Sequence, residues 1–280
     1  MLYLDGKPVA KKFFPDGTLN LTDMGDLIPD EDAYTLPHYT IEWLWEDIAE
    51  QVILYNLVYH LRDHCNAATI DLIMPYIPNA RMDRTKDPRH EVHTLKYFTQ
   101  FINDLGFNRV YVLDAHSDVS LTLIDRVIQF PVEDIVKSLI NEINPDYIFF
   151  PDAGAMKRYN GLIIRTPFYG EKNRDWKTGK ILGLEIHNPY HIPEEDYQGK
   201  SILIIDDICS RGGTFFHAAT ALKECGFGDI SLYITHCENS IFSGEVLKDN
   251  GLISKVYTTN SLSHGEHAKL HTIELEFTGE

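Results

Sequence analysis

The chain has 280 residues, of which 44% are hydrophobic and 24% charged, a composition typical of a globular protein with room for one large or two modest domains. Its net charge of −17 argues against a nucleic-acid partner, which needs a broad basic face. No apolar run reaches membrane-spanning length and the first residues lack the layout of a signal peptide, so we expect a cytoplasmic protein with no membrane partner.

Helix-like and strand-like patterns alternate along the chain, which predicts an α/β fold with mainly parallel sheets flanked by helices. One series of elements ends near Phe130, so we expect domains over 1–130 and 131–280, with the last residues packing back on the first domain. The predicted elements are, in chain order, a helix over 42–64, a strand over 69–75, a helix over 91–105, a strand over 110–114, a helix over 132–144, strands over 147–151 and 201–206, a helix over 214–225, and strands over 230–236 and 255–259.

Three predicted strands lead into polar residues. The strand over 110–114 is followed by His116, the strand over 147–151 by Asp152, and the strand over 201–206 by a glycine-containing loop. Because open α/β sheets bind ligands at the carboxyl ends of their strands, these three endings predict a site.

The stretch over 202–214, ILIIDDICSRGGT, is the most informative of the three. Four apolar residues favour a buried strand, and we expect Asp206 and Asp207 to close it. The loop that follows offers two glycines, two hydroxyls and the start of a helix, which suit a phosphate group, while the carboxylates suit sugar hydroxyls. The stretch therefore predicts a ribose-phosphate pocket. The loop residues concerned are Ser210, Arg211, Gly212, Gly213 and Thr214.

Six segments in the same order resemble the motifs of the phosphoribosyl pyrophosphate synthetases (ribose-phosphate diphosphokinases). They are FFPDG at 13–17, PYIPNARMDRT at 75–85, LDAHSD at 113–118, PDAGAMKR at 151–158, KNR at 172–174 and TTNSL at 258–262. The stretch over 202–214 also resembles the binding loop of type I phosphoribosyltransferases. The resemblance implies two phosphoribosyltransferase-like domains and assembly into homo-oligomers, either dimers or hexamers.

The resemblance also implies a reaction and a set of roles. The β,γ-diphosphate of ATP moves to the anomeric hydroxyl of ribose 5-phosphate with the help of Mg²⁺, which gives AMP and phosphoribosyl pyrophosphate. The resemblance implies that Lys172, Arg174 and Arg81 are the catalytic residues, and such cations suit the charge that develops on phosphoryl oxygens. The expected ATP-binding residues are Phe14, Asp16, Arg81, Arg84 and His116. The expected magnesium ligands are His116 and Asp152. The expected residues for the ribose phosphate are Asp152, Asp206, Asp207 and the loop 210–214.

The loop departs from the family at Arg211, since relatives usually read Asp-Thr-Ala-Gly-Thr there. A guanidinium adds a fixed cation and up to five donors, more than one 5-phosphate needs. ADP-ribose, which carries a 5-diphosphate and the same free anomeric hydroxyl, is therefore an alternative acceptor in the same chemistry, as a step in rebuilding NAD. A non-catalytic regulatory relative and a base-using phosphoribosyltransferase are further alternatives.

Overall fold

The apolar runs of the sequence form the inner strands of two mainly parallel sheets. The computed structural model describes residues 1–26, 37–64, 69–85, 87, 89–162, 165–174, 181–249, 251–262 and 265–276, without the side chains of 160, 172–174 and 181–183. The chain divides into two compact units, with the boundary between Phe130 and Pro131. The first unit takes in two short later segments, and the second resumes at 264–275.

The first unit contains a six-stranded sheet in the order β2-β1-β5-β6-β7-β8 and a two-stranded hairpin, β3-β4. Pairing is parallel from β5 to β8 and antiparallel at β1 and β2. The strands are β1 (Leu2–Leu4), β2 (Lys7–Pro8), β3 (Lys11–Phe13), β4 (Leu19–Leu21), β5 (His38–Trp43), β6 (Thr69–Ile73), β7 (Arg109–Leu113) and β8 (Val127–Phe130). The helices are α1 (Glu50–His64), α2 (Thr94–Asp104) and α3 (Asp118–Leu123).

The expected helix over 42–64 is wrong at its start. Its first residues belong to β5, which ends at Trp43, and α1 begins only at Glu50. Strand β5 lies between β1 and β6 and buries Tyr39, Ile41 and Trp43 on one face. Tertiary pairing and the β preference of these bulky side chains therefore decide the conformation, although the apolar spacing fits a helix.

The second unit contains a seven-stranded sheet in the order β11-β10-β9-β12-β13-β14-β15, parallel except where β11 pairs with β10. The strands are β9 (Tyr147–Phe150), β10 (Pro167–Arg174), β11 (Ile181–His187), β12 (Ile202–Cys209), β13 (Ile230–Cys237), β14 (Lys255–Thr259) and β15 (Leu270–Ile273). The helices are α4 (Val132–Ile143), α5 (Ala153–Arg158), α6 (Glu194–Tyr197) and α7 (Gly213–Glu224).

Strands β12 and β13 form the centre of the second unit's core. Every residue of β13 is buried, and all of β12 except Asp206 is buried as well. Strands buried on both faces are expected in a parallel sheet covered by helices, which explains their continuous apolar runs. The expected α/β fold with mainly parallel sheets is confirmed. Among the described residues, no helix has both the length and the apolar character needed to cross a membrane.

Candidate active site

Strand β12 extends further than its sequence suggests. Beyond the acidic pair, defined here as Asp206 and Asp207, the strand continues to pair with β13 through Ile208 and Cys209. The expectation that the acidic pair closes the strand is therefore wrong: both residues lie within it. The loop is correspondingly short, and helix α7 begins at Gly213.

The loop after β12 is held tightly in the second unit. Gly212 adopts a left-handed conformation with φ of 75°, and a Cβ there would lie 2.3 Å from Cγ2 of Val246. A Cβ on Gly244 would lie 1.9 Å from the carbonyl oxygen of Arg211, so this glycine permits close backbone contact. Both glycines fix the path of the segment Ser210–Thr214, called the phosphate loop below.

The phosphate loop leads directly into the amino terminus of α7. Gly212 occupies the cap position and supplies no side-chain acceptor for the first N–H groups of the helix. Ser210 and Thr214 are half-buried, and each contributes a hydroxyl to the loop. Unsatisfied N–H groups and the helix dipole favour an anion at such a position. The loop can therefore bind a phosphate group.

Arg211 differs from the rest of the phosphate loop because its side chain is exposed. It makes no hydrogen bond or ion pair with any residue that the structure describes. Its guanidinium is thus available to a second anionic group near the loop.

Arg158, which the sequence-based prediction missed, offsets the negative charge of the acidic pair. Arg158 places Nη1 2.7 Å from Oδ1 of Asp207 and 3.6 Å from Oδ1 of Asp206. Burial, followed by the charge of Asp207, raises the pKa of Asp206 well above its ordinary value, and Arg158 opposes this shift. Arg158 is the last residue of the PDAGAMKR segment, whose resemblance to a family motif is the sequence signal that could have identified it.

Asp152 lies at the carboxyl end of β9, the strand beside β12. Its Oδ1 accepts a hydrogen bond of 3.0 Å from the N–H of Ala155, so Asp152 caps helix α5. Gly170 allows β10 to approach this turn, since a Cβ there would lie 2.9 Å from the carbonyl oxygen of Pro151. Asp152 therefore lies at the end of the strand next to β12, which holds the acidic pair and leads into the phosphate loop.

Phe14 and Asp16 lie in the turn of the β3-β4 hairpin in the first unit. The Phe14 ring is 54% exposed. Oδ1 of Asp16 accepts hydrogen bonds from the N–H (2.9 Å) and the hydroxyl (2.7 Å) of Thr18, which lower the pKa of Asp16. Phe14 is thus free to stack on a ligand, whereas Asp16 already shapes its own turn.

The other residues predicted to bind ATP follow two adjacent strands of the sheet in the first unit. Arg81 and Arg84 lie in the segment after β6, and His116 lies just after β7. Arg81 is exposed and His116 half-buried. The Arg84 side chain is 88% exposed, with Nε 3.5 Å from Oδ1 of Asp83. Because β6 and β7 are parallel neighbours, the segments that hold these residues leave the sheet at the same edge.

Lys172 and Arg174 lie near the end of β10, which pairs with β9 and with β11. Their side chains fall outside the described part of the structure, so their catalytic role stays a prediction.

The donors predicted for magnesium fit that ion unequally. Mg²⁺ prefers oxygen ligands and keeps several waters, so one carboxylate is an appropriate protein contribution. Asp152 supplies such a carboxylate, and its cap hydrogen bond fixes the direction of the group. The imidazole of His116 is a poorer match and suits a phosphate oxygen or a water molecule better.

The sequence is similar to those of several ribose-phosphate pyrophosphokinases. The chain is 30% identical to the ribose-phosphate pyrophosphokinase of Staphylococcus epidermidis over 76% of this chain and 67% of that protein. It is 27% identical to that of Sulfurisphaera tokodaii over 69% of this chain and 65% of the relative. It is 26% identical to that of Hyphomonas neptunium, spanning 64% of its length. The chain thus spans just under two thirds of the last two relatives.

The fold agrees with a solved structure of phosphoribosylpyrophosphate synthetase from Mycobacterium smegmatis. The TM-score is 0.70 at 19% identity, over 95% of this chain and 86% of the other. The fold is thus the α/β architecture with two phosphoribosyltransferase-like domains. No family model matches the chain. At the sequence level, the relative from Staphylococcus epidermidis shows that the chain belongs to the ribose-phosphate pyrophosphokinase family.

Proposed function

We propose that this protein transfers the diphosphate group of ATP to the anomeric hydroxyl of a ribose phosphate. The anomeric oxygen forms a new bond to the β-phosphorus, and the bond from the β-phosphorus to the oxygen bridging it to the α-phosphorus breaks. AMP leaves with that oxygen, and the hydroxyl proton passes to solvent. The products are AMP and a ribose 1-diphosphate that keeps its 5-phosphate.

The phosphate loop, which follows the strand of the acidic pair and leads into α7, is the observation that carries this proposal. Backbone N–H groups and the hydroxyls of Ser210 and Thr214 bind the 5-phosphate. The acidic pair accepts hydrogen bonds from the ribose hydroxyls, which fixes the sugar with its anomeric carbon toward the diphosphate. These two roles need an anion-binding loop and a pair of carboxylates a few residues apart, and the order of the acidic pair and the phosphate loop along the chain supports the proposal.

Charge neutralisation supplies the rest of the catalysis. Lys172 and Arg174 stabilise the negative charge that grows on the transferring diphosphate, and Arg81 holds the ATP phosphates. Phe14 stacks on the adenine, and Arg84 and His116 contact the triphosphate. Asp152 would hold part of the coordination shell of magnesium, and the ion would supply neutralisation of charge on phosphate oxygens. We expect the enzyme to act in the cytoplasm as a homo-oligomer.

ADP-ribose is a second candidate acceptor, and the exposed Arg211 favours it. A guanidinium with no partner among the described residues can bind the second phosphate of a 5-diphosphate. The reacting hydroxyl and the bonds that form and break are the same for both acceptors, so only recognition beyond the 5-phosphate differs.

Parallel assays of AMP release test both candidates. Purified protein is supplied with ATP and Mg²⁺ and with either ribose 5-phosphate or ADP-ribose. AMP formed with ribose 5-phosphate alone excludes the second candidate, and AMP formed with ADP-ribose alone excludes the first. AMP formed with neither contradicts the proposed function and favours a non-catalytic regulatory relative.

Arg211→Thr sharpens the choice between acceptors. If ADP-ribose is the substrate, losing one charge-assisted phosphate contact lowers kcat/KM for ADP-ribose roughly ten- to hundred-fold and leaves ribose 5-phosphate unaffected. Lys255→Thr is a matched control, because it removes an exposed positive charge at the amino end of β14. An unchanged preference in Arg211→Thr would show that Arg211 does not contact the acceptor.

A further inference from the structure

Arg158 connects helix α5, which Asp152 caps, with the acidic pair on β12 in the second unit. It is the last residue of α5, and Asp152 caps the first turn of the same helix. Its guanidinium lies against the acidic pair on β12, with the distances of 2.7 and 3.6 Å given above. One six-residue helix therefore separates the residue expected to hold magnesium from a cation that contacts the expected ribose carboxylates.

The two carboxylates of the acidic pair differ in exposure. The side chain of Asp207 is 3% exposed and that of Asp206 is 17% exposed. A buried carboxylate without a partner is strongly unfavourable, so the closer contact with Arg158 stabilises Asp207 as an ion. Asp206 keeps the greater exposure and the longer distance to Arg158, and its Oδ1 accepts a hydrogen bond of 3.0 Å from the N–H of Asp207.

Packing holds the guanidinium in place. Cζ of Arg158 lies 5.7 Å from the centroid of the Tyr159 ring, within range of a cation–π contact. Tyr159 is fully buried and stacks on Phe150 of β9 at 6.2 Å. The ring of Tyr159 and the acidic pair thus set the direction of the Arg158 side chain.

We propose that Arg158 is a positioning residue for the sugar: it anchors Asp207, and through Asp207 it orients Asp206 as the carboxylate that binds the ribose hydroxyls. This inference rests on the proposed function. It gives different roles to two aspartates that the sequence does not distinguish. Asp207 is the anchored partner, and Asp206 is the residue that contacts the acceptor.

Steady-state kinetics of Arg158→Met test the proposal. We expect kcat/KM for the ribose-phosphate acceptor to fall roughly ten- to hundred-fold, through a higher acceptor KM, with the KM for ATP unchanged. Low concentrations of guanidinium ion should restore part of the loss, and Arg158→Lys should fall between the two. Lys255→Met is the control for a lost positive charge in the same unit and should behave as wild type.

A folded Arg158→Met with an unchanged acceptor KM overturns the proposal. So does an equal rise in both KM values without guanidinium rescue, because general loosening of the fold would produce it. If Arg158→Met does not fold, Arg158→Lys carries the same kinetic test.

Failure of the proposed function is a separate outcome, since wild-type protein would then release no AMP with either acceptor. In that case the contact is tested by the unfolding free energies of Arg158→Met, Asp207→Asn and the double variant. We expect the double variant to be less destabilised than the sum of the singles, because it leaves no buried carboxylate unpaired. Additive effects would overturn the anchoring of Asp207.

Discussion

The residues expected to bind the sugar and those expected to bind ATP differ in how firmly the protein holds them. In the second unit, Gly212 and Gly244 fix the phosphate loop by close packing, and Asp207 is buried in an ion pair. In the first unit, the Phe14 ring and the Arg84 side chain are largely exposed. A site that is organised before binding loses little conformational freedom, whereas long exposed side chains lose theirs when the ligand arrives. We therefore expect the two substrates to respond differently to substitution.

The largest effect is expected at Asp152. Asp152→Ser keeps an oxygen that can cap α5 but removes the carboxylate, so stability should change little while kcat falls roughly a hundred-fold or more. Thermal unfolding and AMP release measure the two effects separately. Asp152→Ala, which also loses the cap, should lower stability by about 1 kcal/mol. Near-normal turnover in Asp152→Ser would restrict this residue to capping.

Gly244→Ala tests whether packing organises the phosphate loop. The added Cβ meets the carbonyl oxygen of Arg211 at 1.9 Å, so the loop must shift. We expect a loss of stability of about 1–3 kcal/mol and a higher acceptor KM, with the ATP KM unchanged. Gly25→Ala is the control, because a Cβ there meets no atom within 4 Å. A Gly244→Ala variant with a normal acceptor KM would mean that the loop tolerates displacement.

A smaller effect, confined to the other substrate, is expected at Arg81. Arg81→Ala should raise the KM for ATP roughly tenfold through loss of one charge-assisted contact and leave the acceptor KM unchanged. Stability should be unaffected because the side chain is exposed. Steady-state kinetics with each substrate varied in turn measure both KM values. A rise in the acceptor KM instead of the ATP KM would contradict the assignment of Arg81 to ATP binding.

The smallest expected effect is a pH dependence of stability at Asp206. Burial raises its pKa in the folded protein above the ordinary value of 3.8, so the folded state binds this proton more tightly than the unfolded state. The stability from protonation is complete below 3.8 and is lost as the pH rises through the raised value. Asp206→Asn cannot ionise, so its unfolding midpoint should exceed that of wild type at about pH 8, and the gap should narrow toward about pH 4. A constant gap across this range would contradict the shift.

The sequence predicts the inner strands of both sheets well and their surroundings less well. Continuous apolar runs identify β12 and β13 because both faces of these strands are buried. Strands β10 and β11 carry polar residues and a glycine and give no comparable signal. The sequence misplaces the end of β12 because Asp206 and Asp207 look like loop residues. In the structure, pairing with β13 continues past them, and Arg158 forms ion pairs with both carboxylates.

In the site, too, some residues can be predicted from the sequence and others only from the structure. The residues of the phosphate loop are contiguous in the sequence, so the sequence alone predicts them. The roles of Arg158, Gly170 and Gly244 depend on contacts between segments that are distant or unremarkable in sequence, and motif order does not show them.

Phosphorus-31 NMR of the complete reaction tests the central claim most directly, because it identifies the group that is transferred. With ATP, Mg²⁺ and the active acceptor, we predict that AMP and a new diphosphate on the anomeric carbon appear in equal amounts as ATP disappears. Formation of ADP with a phosphorylated sugar, or of AMP with free diphosphate and an unchanged acceptor, would contradict diphosphate transfer to the ribose.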